Sequence, residues 1–108
     1  MAQPTAITAQ QLKQLLDAPN PPRLIDVREP AEWEIVRIPG AVLIPKGELP
    51  SKLAELPQNR PVIAYCKTGI RSAEALALLK NAGFSDAKHV QGGVTAWATQ
   101  VDKSQPVY

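Results

Sequence analysis

The stretch YCKTGIRSA, residues 65–73, holds the chain's single cysteine together with two cations, one glycine and no acid. A thiol is a strong nucleophile only as thiolate, and nearby positive charge, inward-facing backbone amides and a helix N-terminus all favour the ionised form. Cys66 is followed by Lys67 and Arg71, with Gly69 between them free to adopt a positive φ and turn successive N–H groups inward. The loop Lys67, Thr68, Gly69, Ile70, Arg71 and Ser72 is therefore expected to bind an anion and to lower the pKa of Cys66. A buried free cysteine is often an inert small hydrophobe, but a cationic strand-to-helix loop is a poor place for one. One cysteine forms no internal disulfide, and His89 alone makes no Cys/His cluster of zinc-site spacing, so no metal is expected.

The elements that would hold this loop alternate along the chain. Thr8 with Gln11 forms a capping-box signature ahead of Leu12, Leu15 and Leu16, and Asp17 and the following prolines end that helix. Leu24–Val27 reads as a buried strand, with Pro30 at a first helical position and residues 31–34 as a short helix. Residues 41–44 read as another buried strand, 51–56 as a short helix and 62–65 as a third strand. Residues 71–82 are apolar around almost the whole helical circumference, predicting a deeply buried helix closed by Gly83. Residues 87–90 read as a last strand, Gly92-Gly93 as a tight turn and 94–100 as a final helix carrying Trp97. Short apolar strands separated by helices predict an α/β fold, a mainly parallel sheet with helices on both faces. Ligands of such sheets sit beyond the carboxyl ends of the strands, where Cys66 falls.

Composition excludes several classes of function. The net charge of +2 is dispersed, without a run of Lys and Arg and with few aromatics, so nucleic acid is not an expected partner. The apolar runs fall far short of a membrane span. The opening MAQPTAITAQQ lacks the cationic start and long apolar stretch of a secretory signal, so a cytoplasmic location is expected. With 108 residues the chain is expected to be one domain, 1–108. Its 11 prolines, Pro57 and Pro61 among them, mark turns between periodic segments rather than forming a linker.

The loop CKTGIRS resembles the active-site loop of the rhodanese-like family, in which cysteine and arginine bracket four residues. The segment LIDVREPAEWEIVRIPGAVLIP is similar to the family's first signature and GFSDAKHVQGGVTAW to its closing one. Arg37 departs from the histidine of many relatives, outside the loop. With its terminal Pro106-Val107-Tyr108, the chain looks most like the rhodanese-like end of adenylyltransferase-sulfurtransferase proteins of molybdopterin and thiamine biosynthesis. The resemblance implies a sulfurtransferase in which Cys66 is the catalytic nucleophile and carries sulfane sulfur as a persulfide. Amides from Lys67 to Ser72 would cradle the terminal sulfur, Arg71 would hold the loop and its anion, and Lys67 would meet an anionic donor. Thr68 and Ser72 would offer hydroxyls, with helix capping the more expected role for Ser72.

The implied donors are thiosulfate or the persulfide of a cysteine desulfurase; the implied acceptors are cyanide, a thiol or a ubiquitin-like sulfur carrier. No organic cofactor is required. The chain contains neither a Gly-rich nucleotide loop nor a zinc-type CxxC pair, so adenylation of a carrier would fall to another domain. Two alternatives are weaker. A cysteine-dependent phosphatase or arsenate reductase brackets five residues, not four, and needs an acid for the leaving group. A non-catalytic interaction module has no need of both Cys66 and Arg71. Asp26 and Arg28 read as a structural pair, Glu32, Trp33, Gly92, Gly93 and Trp97 as turn and packing residues, and His89 as structural or exposed.

Overall fold

The computed structural model describes residues 5–56 and 58–108; Met1–Pro4 of the opening stretch and the turn mark at Pro57 lie outside the described residues. Five strands form one sheet: β1 (Ala6–Ile7), β2 (Arg23–Asp26), β3 (Val42–Leu43), β4 (Val62–Tyr65) and β5 (Lys88–Val90). Their order is β1-β5-β4-β2-β3, and every pairing is parallel. The helices are α1 (Ala9–Asp17), α2 (Pro30–Ile35), α3 (Leu49–Lys52), α4 (Ile70–Asn81) and α5 (Gly93–Gln100), with 3-10 turns at Lys46–Glu48 and Leu53–Glu55 flanking α3.

Period-two alternation along the central strand separates two apolar layers. Val62 and Ala64 of β4 face α3 and α4, joining Ala75, Leu76 and Leu79. Ile63 and Tyr65 face α1 and α5, joining Leu12, Val94 and Trp97. The expected parallel sheet covered on both faces is thus present. Thr8 caps α1 with both halves of the reciprocal bond to Gln11 in place, and Pro30 opens α2.

Three expectations need correction, and one strand was not foreseen. Residues 41–44 do not form a buried strand: β3 spans only two residues at the sheet edge, and Val42 is 39% exposed. The helix expected at 51–56 is a single α-turn starting at Leu49 between two 3-10 turns, consistent with Pro50 in its first turn. Helix α4 is not enclosed: Ser72, Ala75, Leu76 and Leu79 are buried, whereas Ala73, Glu74 and Ala77 are exposed. Alanines made its whole circumference read as apolar, yet a helix in an outer layer has only one face to bury. Strand β1 was not expected; two residues carry no periodicity, and Ala6 and Ile7 become a strand only by pairing with His89 and Val90.

Candidate active site

Strand β4 is buried along its entire length and lies between β5 and β2, so the residue after it emerges in the middle of the sheet's carboxyl edge. That residue is Cys66, 1% exposed. Gly69, with φ +118, turns the chain into α4 and serves as its N-cap, which aims its own N–H at the sulfur. The Gly69 amide donates to Cys66 Sγ at 3.1 Å and the Ser72 amide at 3.3 Å, while the Ser72 hydroxyl oxygen lies 3.5 Å from the sulfur. The twelve-residue helix α4 adds the positive end of its dipole.

Burial is the largest single influence on the thiol and opposes ionisation. The Ser72 hydroxyl and the amides of Ser72, Gly69 and Thr68 together outweigh it and hold the Cys66 pKa below the ordinary thiol value. The geometry thus places a buried thiol among N–H donors that favour its ionised form.

A second helix fixes the loop from behind. At the start of α5 the Val94 amide donates to the Cys66 carbonyl at 2.9 Å and the Thr95 amide to the Lys67 carbonyl at 3.2 Å. With these carbonyls tied outward, the loop's N–H groups are left to face the sulfur. The contact requires Gly93, since a Cβ there would collide with the backbone carbonyls of Cys66 and Lys67. Gly92-Gly93 therefore provides more than the expected tight turn; it is where α5 touches the loop.

Arg71 does not point into the cradle. Its guanidinium forms a two-pronged ion pair with Glu32, Nη1 to Oε1 at 2.6 Å and Nη2 to Oε2 at 2.9 Å. The pairing lowers the Glu32 pKa to about 2 and raises that of Arg71 further. Glu32 is thus corrected from a packing residue to the anchor of the loop's arginine. Its Oε2 also accepts a bond from the Tyr108 hydroxyl at 2.6 Å, and that hydroxyl accepts from Arg28 Nη1 at 2.8 Å. Arg28 is fully buried and paired with the equally buried Asp26 at 2.6 Å, the scaffold role expected of both. Lys67 lays its ammonium 4.5 Å from the centroid of the Tyr108 ring.

Of the remaining loop residues, Thr68 is exposed and contributes its backbone N–H, and Ile70 is 74% exposed. Ser72 does not cap α4. The helix begins at Ile70, and Ser72, fully buried in its first turn, turns its hydroxyl to Cys66 and to His89 Nδ1 at 3.0 Å. Trp33 is stacked under Arg37 at 4.6 Å instead of filling the core. Glu32, His89, Gly93 and Tyr108 were missed as site residues because their partners are remote in sequence. The one available signal was the resemblance at Tyr108.

Comparison with known proteins turns on the same segments. The family model described as "Rhodanese-like domain" matches residues 8–100. The chain belongs to the rhodanese-like family. This rhodanese-like chain is 53% identical over 109 residues to the "Probable adenylyltransferase/sulfurtransferase MoeZ" of Mycobacterium tuberculosis, covering 99% of the chain but only 28% of that protein. It is 36% identical to a "Sulfurtransferase" of Allochromatium vinosum, covering 85% of the chain and 86% of the relative. Among solved structures, a rhodanese-like domain protein from Staphylococcus aureus superposes with a TM-score of 0.82 at 33% identity, covering 96% of this chain and 98% of that one. The rhodanese-like fold is therefore shared with proteins of similar length as well as with one segment of a much longer relative. Among the described residues no helix is long and apolar enough to cross a membrane.

Proposed function

We propose that the chain is a sulfurtransferase that carries sulfane sulfur as a persulfide on Cys66. The observation that carries this reading is the sulfur's placement: one buried thiol at a strand end, with amides of Gly69 and Ser72 directed at it and its ionisation favoured. The thiolate attacks the outer sulfur of thiosulfate, an S–S bond forms to Cys66 as the sulfur–sulfur bond of thiosulfate breaks, and sulfite leaves with the bonding pair. The negative charge then resides on the terminal sulfur, at the edge of the same set of N–H donors. An acceptor nucleophile, such as cyanide or a thiol, attacks that terminal sulfur and returns Cys66 as thiolate. Cys66 is the only cysteine, so the acceptor comes from outside the chain.

The similarity to MoeZ supports a narrower version, in which the donor is a persulfide on a cysteine desulfurase and the acceptor is the activated C-terminus of a ubiquitin-like sulfur carrier. Phosphate chemistry is disfavoured by the size of the loop: Cys66 and Arg71 bracket four residues rather than five, which suits a single sulfur atom better than a tetrahedral phosphoryl group, and no acid lies in the loop to protonate a leaving group.

Incubation with thiosulfate should add the mass of one sulfur atom to the intact protein, removable by cyanide and absent in Cys66→Ser. Sulfur uptake undiminished in Cys66→Ser would overturn the assignment. The carrier version is tested by supplying persulfidated protein with an adenylating partner, ATP and a Gly-Gly-ending carrier. A Cys66-dependent thiocarboxylate on the carrier supports it; none, alongside brisk transfer to cyanide, refutes it.

A further inference from the structure

We propose that His89 is a positioning residue for the chemistry of Cys66, taking up through the Ser72 hydroxyl the proton that the thiol gives up. The inference rests on the reading of Cys66 as the sulfur-carrying nucleophile. Three groups lie in a row: Cys66 Sγ is 3.5 Å from Ser72 Oγ, and Ser72 Oγ is 3.0 Å from His89 Nδ1. Ser72 is completely buried, and water does not reach its hydroxyl. His89 lies only partly buried on β5, leaving a route by which its ring exchanges protons with solvent.

A hydroxyl has one proton to give and two lone pairs to receive with, which fixes the order of events. In the resting thiol, S–H donates to Ser72 Oγ and the serine proton is directed to Nδ1 of a neutral ring at 3.0 Å, in preference to the Gly69 carbonyl at 3.3 Å. On ionisation the S–H bond breaks, its proton joins Oγ, and the proton formerly on Oγ passes to Nδ1. The products are a thiolate, a serine hydroxyl now donating to it, and an imidazolium donating to Oγ. No atom is oxidised or reduced, and the same three positions accommodate both states. Without such an acceptor, a thiol that is 1% exposed exchanges its proton with water only slowly.

The ring is suited to the part. Burial holds its basicity below the ordinary histidine value, leaving it neutral and able to accept at neutral pH. Among the described residues the elements packed around it bring no competing charge. Thr5 and the first residue of β1, Ala6, lie on one side, β4 presents Ala64 and the loop presents Gly69. On α4 the charged groups are engaged elsewhere, Arg71 with Glu32, Glu74 with Lys46, and Lys80 with the Ser85 carbonyl. Lys88, next to His89 on β5, faces the opposite side of the sheet beside Leu15 and Ile63. Cys66 is thus the titratable group to which His89 is connected.

The chain contains one histidine and one cysteine, so both can be followed without assignment. Ring nitrogen NMR of His89 across pH is expected to register the ionisation of Cys66. The two groups are at most about 6.5 Å apart through Ser72, which corresponds to a coupling of about half a unit to two units. Replacing the thiol in Cys66→Ala should reduce the His89 curve to one simple transition, and Ser72→Ala should remove most of the coupling. An identical His89 curve in wild type and Cys66→Ala would overturn the proposal.

The second measurement is the rate of sulfur uptake from thiosulfate by His89→Asn, which retains a hydrogen-bonding group near Ser72 but no basicity. Uptake about tenfold slower near pH 6, converging on wild type near pH 9 where hydroxide removes the thiol proton, is expected. A loss equal at both pH values, or no loss, would show a merely structural histidine and refute the relay. Should wild type itself take up no sulfur, the functional reading fails, while the His89 titration still decides the proton path.

Discussion

Gly93→Ala isolates what the approach of α5 contributes to the loop. Gly93 has φ +57, and an alanine Cβ at that position would collide with backbone carbonyls of Cys66 and Lys67, none of which can rotate away. Two penalties add: about 1 kcal/mol for a side chain in the left-handed region, and about 1–3 kcal/mol of overpacking as the loop and helix separate. Separation also endangers the Val94 and Thr95 amide bonds to those carbonyls, about 1 kcal/mol each. Gly40 provides the control, because its φ is +87 and nothing lies within 4 Å of its Cβ position. Gly40→Ala should pay only the backbone penalty. Gly93→Ala is therefore expected to lose about 2–4 kcal/mol more than Gly40→Ala in urea unfolding, a gap on the order of 10–20 °C in Tm for a domain of this size. Its thiolate absorbance should also appear at higher pH, because released carbonyls no longer hold the amides toward the sulfur. Equal stability of the two variants would refute the close-approach argument, and an unmoved thiol transition would refute its link to the cradle.

Ser72→Ala removes one hydroxyl from the sulfur's surroundings and should raise the thiol pKa, read from thiolate ultraviolet absorbance. Glu32→Gln should cost about 1–2 kcal/mol at pH 7, discounted because the Arg71 side chain is one-third exposed. The Glu32 pKa is depressed on folding, so the advantage of wild type is fully present above the ordinary value of 4.5 and shrinks as pH falls toward 2; unfolding at several pH values checks the sign. Asp26→Ala leaves Arg28 buried without its carboxylate and should cost about 3–5 kcal/mol, seen as loss of soluble protein or a lowered urea midpoint.

Features legible in the sequence were those decided within a few residues. The Thr8–Gln11 cap, Pro30 at a helix start and the apolar run of β4 each depend on neighbours along the chain, and all three appear where expected. The loop was legible for the same reason, since Cys66, Gly69 and Ser72 belong to one strand-to-helix turn. Residues 41–44 misled because an apolar run does not say whether a strand lies at the centre or the edge of a sheet. Helix α4 misled because alanine is compatible with either a core or a surface position.

The amino-acid order alone thus determined a parallel α/β fold, the family, and a single thiol placed where amides and a helix end converge. Only the tertiary structure decided which groups surround that thiol. Glu32 reaches Arg71 across 39 positions, Tyr108 reaches Glu32 across 76, and His89 reaches Ser72 across 17. Such pairs have no periodicity or local propensity to betray them, because they arise from strand order and helix docking. Bringing β2, β4 and β5 side by side collects their carboxyl ends, and with them a carboxylate, a thiol and an imidazole that the chain itself keeps far apart.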